Sequence, residues 1–239
     1  MSQALVLLHG WGYTPGLWDT LQAELPELAI TAPFVCPTSP DLRSWTADIS
    51  ETLPDNAWIL GWSLGATLAI SLAAHHPEKV RGLFLIGATP RFVADEYWKN
   101  GLESEVVEAF RTTLRRSPER IQKRFLALQL LGDRQPDGLV SHLGSALADI
   151  KDHVTELEAG LQILAETDLR TLALPPGLPV QFLHGRHDAV TPLAAAQYLH
   201  ACLPGAGLHV CEEAGHAPLL AQPVALAALI REFVNARQD

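Results

Sequence analysis

Short apolar runs recur along the chain, and each spans only three to five residues. They are unbroken runs, not the alternation of apolar and polar residues expected of a half-buried strand. Such runs are typical of strands that are buried on both faces of a parallel sheet. We therefore expect strands around Leu5–Leu8, Leu28–Ala32, Trp58–Leu60, Gly82–Ile86, Val180–Leu183 and Leu208–Cys211.

Helical periodicity fills most of the gaps between these runs. Two of the expected helices open on proline, at Pro192 and Pro223, where a missing N–H costs nothing. Strands and helices that alternate in this way are typical of a doubly wound, mostly parallel α/β sheet. The expected helices cover Leu17–Leu25, Leu42–Leu53, Leu64–His75, Leu193–Leu203 and Val224–Val234.

The alternation stops in residues 91–170, where only helical periodicity is visible, as in "SPERIQKRFLALQLLG". It resumes after the Pro/Gly-rich stretch Leu174–Pro179. A region with one periodicity inside a chain with another indicates an inserted subdomain. We expect an α/β core formed by residues 1–90 and 171–239, with residues 91–170 forming a helical lid.

The charge is unevenly distributed along the 239 residues, whose formal net charge is −10. An acidic protein has no overall basic field to attract phosphates, so we expect no nucleic-acid partner. One stretch of the expected lid is nevertheless basic. This stretch is either a solvated helix face or a docking surface for an acidic partner. Glu119 is its only acidic residue, and its basic residues are Arg111, Arg115, Arg116, Arg120, Lys123 and Arg124.

Cofactor motifs and targeting segments are not evident in the sequence. There is no metal-ligand spacing, and no Gly-x-Gly-x-x-Gly follows the first expected strand, so we expect neither a metal nor a cofactor. The N-terminal apolar run is too short for a signal sequence or a membrane span. The three cysteines show no paired spacing. We expect a monomeric cytoplasmic protein with reduced thiols and no membrane association.

A serine stands between two apolar segments in "AWILGWSLGATLAI". Gly61 and Gly65 flank Ser63 at two residues on either side, and a sharp strand-to-helix turn needs such small neighbours. The turn also puts Ser63 at a helix N-terminus, where free N–H groups and the helix dipole favour developing negative charge. The pattern predicts that Ser63 is a nucleophile.

A serine nucleophile needs a base, and the base needs an orienting acid. In chains with this arrangement the order is serine, acid, histidine, each at the C-terminal edge of a strand. Asp188 follows the fifth expected strand and His216 follows the sixth. Competing residues are less well placed, because His184 and His187 precede the last strand. Glu212 and Glu213 remain open as substitutes for the acid.

The oxyanion of the reaction needs two hydrogen-bond donors. The residue after the nucleophile, Leu64, would supply one backbone N–H. The first strand ends in "HGWG", and the N–H of Trp11 in this turn is positioned to supply the other. Losing one such donor typically costs about 10²- to 10³-fold in rate.

Several stretches are more particular than the catalytic residues alone. They are "LVLLHGWG", "LGWSLGA", "RFLALQ", "GLQILAETDLR", "HGRHDAVTP" and "AGHAP". With these stretches the whole chain resembles the pimeloyl-[acyl-carrier protein] methyl ester esterase family of α/β-hydrolases. The resemblance implies hydrolysis of the methyl ester of pimeloyl-acyl carrier protein in biotin synthesis. It also implies an acidic acyl carrier protein as a transient partner.

The resemblance assigns roles to residues of the expected lid. Phe125 and Gln129, four apart on one helix face, would line the acyl site, with Phe125 covering the alkyl chain. Arg120 and Arg124, also four apart, would dock the carrier. The implied substrate contacts are Trp11, Ser63, Leu64, Phe125, Gln129 and His216.

One departure and two alternatives accompany this hypothesis. Gln135–Ile150 contains no Arg or Lys, although the basic surface of this family tends to extend further along the lid. One alternative is therefore a broad-specificity short-chain carboxylesterase without carrier docking. The other is a non-catalytic protein of the same fold, which the filled nucleophile, acid and base positions disfavour.

Overall fold

The structure is a computed structural model that describes residues 2–37, 39–134, 136–149 and 152–236. Gln135, Ile150 and Lys151 of the expected lid lie outside the described residues. Six strands form one sheet in the order β2-β1-β3-β4-β5-β6, and every pair of neighbours is parallel. The predicted strands are confirmed as β1 Ala4–Leu8, β2 Ala29–Thr31, β3 Ala57–Trp62, β4 Val80–Ile86, β5 Val180–Gly185 and β6 Gly207–Cys211.

Helices connect the strands as the periodicity predicts, with one difference at the first connection. There a 3₁₀ turn, Pro15–Trp18, precedes a short helix, because Pro15 fixes the backbone at the first position of the turn. A second 3₁₀ turn covers Pro77–Lys79. The α-helices are α1 Asp19–Ala23, α2 Leu42–Ser50, α3 Leu64–His75, α4 Ser104–Arg116, α5 Pro118–Gln129, α6 Pro136–Ser145, α7 Val154–Glu166, α8 Leu193–Cys202 and α9 Pro223–Asn235.

The sheet separates two hydrophobic clusters. Leu5 and Leu7 of β1 belong to one cluster, whereas Val6 and Leu8 belong to the other. Successive side chains of a strand point to opposite faces, so both faces of β1 are covered by apolar side chains. All six residues of β3 are buried as well. The double burial explains why the central strands are unbroken apolar runs in the sequence.

Four helices, α4 to α7, lie between β4 and β5 in the chain. The two ends of this helical segment lie next to each other. The N–H of Leu169 donates to the carbonyl of Pro90 at 2.8 Å. An ion pair between Arg91 and Asp168 joins the same two points at 3.3 Å. The apolar faces of α4, α5 and α7 belong to the cluster that contains Leu8. These helices therefore share a hydrophobic core with the sheet.

Two further expectations from the sequence can be compared with the structure. Cys36, Cys202 and Cys211 are all free thiols. Within the described ranges, no helix is both long enough and apolar enough to cross a membrane.

Candidate active site

Ser63 occupies a sharp turn between β3 and α3. Its backbone adopts φ 57° and ψ −116°, a strained conformation for a residue with a side chain. Two glycines permit the turn: a Cβ at Gly61 would lie 2.4 Å from the carbonyl oxygen of Gly65, and a Cβ at Gly65 would lie 2.2 Å from that of Leu8. The spacing of the two glycines around Ser63 is therefore a packing requirement.

Asp188 and His216 meet at the carboxyl ends of β5 and β6. Nδ1 of His216 lies 2.8 Å from Oδ2 of Asp188, and both side chains are fully buried. An ionised carboxylate can only accept hydrogen bonds, so Nδ1 carries the proton. In a neutral imidazole with this tautomer, the other ring nitrogen, Nε2, is an acceptor. Within the described part of the chain, Nε2 is buried and has no hydrogen-bond partner.

Asp188 is surrounded by donors. Its Oδ1 accepts the N–H groups of Val190 and Thr191 at 2.8 Å each. Its Oδ2 accepts the hydroxyl of Thr191 at 2.9 Å. Burial alone would raise the pKa of Asp188, but the positive charge of protonated His216 and the hydrogen bonds of His184 and His216 outweigh it. The pKa therefore lies well below its ordinary value, and Asp188 is an anion throughout the neutral range.

The loop that carries His216 is held mainly through its backbone. The backbone N–H of His216 donates to the carbonyl of Gln129 at 3.3 Å. The backbone carbonyl of His216 accepts Nε1–H of Trp62 at 2.9 Å. The rings of Trp62 and His216 have centroids 5.7 Å apart. Because Trp62 immediately precedes Ser63, these contacts connect the loop of His216 to the segment that carries the serine. Oγ of Ser63 makes no hydrogen bond to Nε2 of His216 in this structure.

Sequence reasoning missed two residues that contact the acid. The sequence disfavours His184 as the base because it precedes β6, but its Nε2 lies 3.3 Å from Oδ2 of Asp188. The same Nε2 lies 2.7 Å from the carbonyl of Thr191, so this nitrogen carries a proton. Thr191 contacts the acid through both its N–H and its hydroxyl. His184 precedes Asp188 by four residues and Thr191 follows it by three. This closeness in the sequence is the feature that could have identified them as contacts of the acid.

Trp11 and Leu64 lie under the inserted helix α7. The ring Nε1–H of Trp11 donates to the carbonyl of Leu157 at 2.8 Å. A Cβ at Gly160 would lie 2.9 Å from the Trp11 ring and 3.3 Å from the Leu64 side chain. As the first residue of α3, Leu64 has an N–H without an acceptor in its own helix.

Helix α5 brings Phe125 and Gln129 to the same region. Phe125 packs edge-on against Trp11, with centroids 5.0 Å apart. Gln129 is fully buried, and its Oε1 accepts the hydroxyl of Tyr13 at 2.5 Å. Tyr13 is a further residue that sequence reasoning missed, because its partner lies 116 residues away.

Arg120 and Arg124 lie on the outer side of α5, and both are exposed. The guanidinium of Arg124 is stacked over the ring of Phe110 at 5.4 Å. Arg111 pairs with Glu108, and Arg115 pairs with Glu158.

Comparison with known proteins supports a single family. The model of the alpha/beta hydrolase family matches residues 5–229. The pimeloyl-[acyl-carrier protein] methyl ester esterase of Aromatoleum aromaticum is 40% identical, and the match covers 97% of this chain and 98% of the relative. The enzyme of the same name from Nitrosomonas europaea is 34% identical, over 92% of this chain and 90% of the relative.

Solved structures agree on the fold. The esterase EaEST from Exiguobacterium antarcticum has a TM-score of 0.84 at 22% identity, covering 98% of this chain and 92% of that chain. The enol-lactonase from Burkholderia xenovorans has a TM-score of 0.82 at 15% identity, with the same two coverages. The match to the family model and the identity to these full-length relatives lead to one conclusion: this chain is an α/β-hydrolase and belongs to the pimeloyl-[acyl-carrier protein] methyl ester esterase family.

Proposed function

We propose that this protein is a serine carboxylesterase in which Ser63 is the nucleophile, His216 the base and Asp188 the acid that orients it. The observation that carries the proposal is the state of the His216 ring. One nitrogen faces a buried carboxylate, and the other is buried without a hydrogen-bond partner among the described residues, so in the neutral ring it is free to accept a proton. An imidazole in this state can take a proton from a hydroxyl.

In the first half-reaction, Oγ of Ser63 attacks the carbonyl carbon of the ester as its proton moves to Nε2 of His216. The N–H groups of Trp11 and Leu64 would stabilise the oxyanion of the tetrahedral intermediate. His216 then returns the proton to the leaving alkoxide, which departs as methanol. Asp188 remains an anion and stabilises the imidazolium at each stage.

In the second half-reaction, water attacks the acyl-enzyme. His216 takes a proton from the water through Nε2, and the same two N–H groups stabilise the second oxyanion. When the intermediate collapses, His216 returns the proton to Oγ of Ser63, and the carboxylic acid is released. The cycle restores the starting protonation state and uses only groups of this chain.

The substrate of this chain is the methyl ester of pimeloyl-acyl carrier protein, and the reaction belongs to biotin synthesis. The full-length relatives that bear this activity in their names support the assignment. Residues 91–170 would form the lid over the core formed by residues 1–90 and 171–239. Phe125 would cover the alkyl chain, and Gln129 would supply a polar group at one end of the acyl site.

Arg120 and Arg124 would dock the carrier. They are exposed on the outer side of α5, whereas Phe125 on the inner side of the same helix contacts Trp11. A carrier bound to the outer side would therefore be close to the site that receives its acyl chain. Because the protein has a net charge of −10, attraction of an acidic carrier requires such a local basic surface.

The test measures methanol release from pimeloyl-carrier methyl ester and from free dimethyl pimelate. Ser63→Ala should abolish both activities. Arg120→Glu/Arg124→Glu should lower kcat/KM for the carrier-bound ester by about tenfold or more and leave the free ester within about twofold. The control, Arg43→Glu/Lys99→Glu, makes the same charge change at two exposed positions outside α5. Equal losses on both substrates would contradict the docking role.

A broad-specificity carboxylesterase without carrier docking is the second candidate. It is favoured by the limited extent of the basic surface, since Gln135–Ile150 contains no Arg or Lys and Arg111 and Arg115 are already paired. Equal or better activity on dimethyl pimelate than on the carrier-bound ester would select this candidate. We further propose a cytoplasmic monomer. The free thiols support the compartment, and light scattering would test the oligomeric state.

A further inference from the structure

Only one end of the Gln129 side-chain amide makes a hydrogen bond. Its Oε1 accepts the hydroxyl of Tyr13, but among the described residues its Nε2 has no hydrogen-bond partner. The whole residue is buried, with 0% of its surface exposed. A buried amide N–H₂ group without an acceptor is costly, and such groups in native proteins usually have a role.

The length of the Tyr13–Gln129 contact identifies the donor. At 2.5 Å it lies within the range of O–H···O bonds and below the range of N–H···O bonds. The Tyr13 hydroxyl therefore donates, and the carbonyl end of the Gln129 amide accepts. Burial raises the pKa of Tyr13 well above its ordinary value, so the hydroxyl keeps its proton. The amide N–H₂ group consequently points away from Tyr13.

Both residues are in contact with the elements that carry the catalytic groups. The backbone carbonyl of Gln129 accepts the N–H of His216, and the ring of Tyr13 packs on Trp62 with centroids 4.9 Å apart. Phe125, one turn before Gln129, contacts the ring of Trp11. Gln129 therefore lies between the loop that carries His216 and the residues proposed to line the acyl site.

The reacting ester has no oxygen left for this donor. In the proposed mechanism its carbonyl oxygen binds Trp11 and Leu64, and its alkoxide oxygen receives the proton of His216. An acceptor for Gln129 must come from another part of the substrate. A dicarboxylic acyl chain supplies one in its second carbonyl, whereas a monocarboxylic chain supplies none.

We propose that Tyr13 is a positioning residue that fixes the Gln129 amide so that its N–H₂ group binds the second carbonyl of a dicarboxylic acyl chain. The inference rests on the proposed function, in which Gln129 lines the acyl site. It makes the Tyr13–Gln129 pair a determinant of specificity and leaves the reaction itself to Ser63 and His216. Without the Tyr13 hydroxyl the amide can turn over and present its carbonyl oxygen, which repels the substrate carbonyl.

The test compares dimethyl pimelate with methyl heptanoate, which has the same chain length but no second carbonyl. We expect Tyr13→Phe to lower kcat/KM for dimethyl pimelate about fivefold, mainly through a higher KM, as for the loss of one hydrogen bond. Gln129→Met should cause a similar or larger loss. Tyr13→Phe should keep methyl heptanoate within about twofold of the wild type, because the lost hydroxyl does not itself contact the substrate.

The double variant separates positioning from packing. In the Gln129→Met background, Tyr13→Phe should cause no further loss on dimethyl pimelate, because the hydroxyl no longer has an amide to orient. Losses that multiply, or equal losses on both esters, would overturn the proposal and assign Tyr13 to packing against Trp62. If Tyr13→Phe unfolds, the double variant still provides the comparison with Gln129→Met.

Failure of the proposed function would look different. It would appear as wild-type protein that hydrolyses neither ester, or as activity that survives Ser63→Ala. Neither result resembles a loss confined to dimethyl pimelate in Tyr13→Phe. A thermal melt of each variant accompanies the kinetics, so that a change in folded fraction is not mistaken for a change in KM.

Discussion

Two buried histidines, in the loops that follow β1 and β6, show opposite uses of the same side chain. His9 and His216 both have 0% of their surface exposed. In His9, Nδ1–H donates to the carbonyl of Gly10 at 2.9 Å and Nε2 accepts the N–H of Val35 at 2.8 Å. In His216, Nδ1–H donates to Asp188, and Nε2 has no partner in the described part of the protein.

The comparison shows that burial does not by itself make a histidine a base. Burial lowers the pKa of His9 from 6.5 to about 4, and the hydrogen bond to Gly10 offsets this only in part. Both of its nitrogens are occupied, so it is a neutral structural link between two loops. His216 has an ionised carboxylate beside it, which stabilises the imidazolium, and an unoccupied nitrogen that can receive a proton.

The same substitution at the two positions is the strongest test of this contrast. His216→Gln removes the only proposed proton acceptor, and we expect kcat to fall by about ten-thousand-fold or more. In His9→Gln the amide can still donate to one neighbour and accept from the other. We expect this variant to keep kcat within about tenfold of the wild type at neutral pH. Steady-state methanol release, with thermal melts of both variants, provides the measurement.

A comparable loss of kcat in a fully folded His9→Gln protein would contradict this contrast between the two histidines. It would mean that His9 takes part in the chemistry in spite of its two occupied nitrogens. The interpretation of His9 as a structural residue would then have to be abandoned.

The pH dependence of the free energy of unfolding tests whether His9 is held neutral in the folded protein. Between the unfolded pKa of 6.5 and the folded pKa of about 4, the unfolded chain binds more protons at this residue than the native protein does. The free energy of unfolding therefore decreases as the pH falls through this window, by about 3 kcal/mol in total. Above 6.5 and below about 4 the contribution of His9 does not change with pH.

Urea unfolding of the wild type and His9→Gln at several pH values isolates this contribution. Groups common to both proteins, such as Asp188, cancel in the difference between the two curves. The difference should change between pH 6.5 and pH 4 and stay level above that window. Parallel curves across the window would show that His9 is not held neutral.

A smaller change in kcat is expected when one hydrogen bond to Asp188 is removed. Thr191→Val removes the hydroxyl that donates to Oδ2 at 2.9 Å, but it leaves the backbone donors in place. We expect kcat to fall by about three- to tenfold, the size expected for one ordinary hydrogen bond, because the two backbone N–H donors still hold Asp188. Kinetics at neutral pH, compared with His216→Gln, measure the size of this effect.

Thr89→Val is the matched control. The Thr89 hydroxyl donates to the carbonyl of Arg91 at 2.7 Å, and its side chain is also buried. This variant should lose stability without a comparable loss of kcat. Equal effects of the two substitutions on kcat would indicate that Thr191 acts through general packing.

Features that depend on neighbouring residues could be predicted from the amino-acid sequence. The six strands follow from apolar runs, and the Ser63 turn follows from two glycines that the strand-to-helix geometry requires. Asp188 and His216 could be predicted because each follows a recognisable strand. These features depend on residues that are close in the chain, where periodicity and backbone sterics act directly.

The contacts between distant groups, by contrast, became visible only in the folded protein. The strand order placed the loops of β5 and β6 side by side, which joined His216 to a carboxylate 28 residues away. The return of the inserted helices to the core joined Tyr13 to Gln129, and the loop after β2 supplied the N–H that occupies His9. The physical reason is that a hydrogen bond requires a contact. Contacts between distant residues are set by packing, so no local pattern could distinguish the occupied nitrogen of His9 from the available nitrogen of His216.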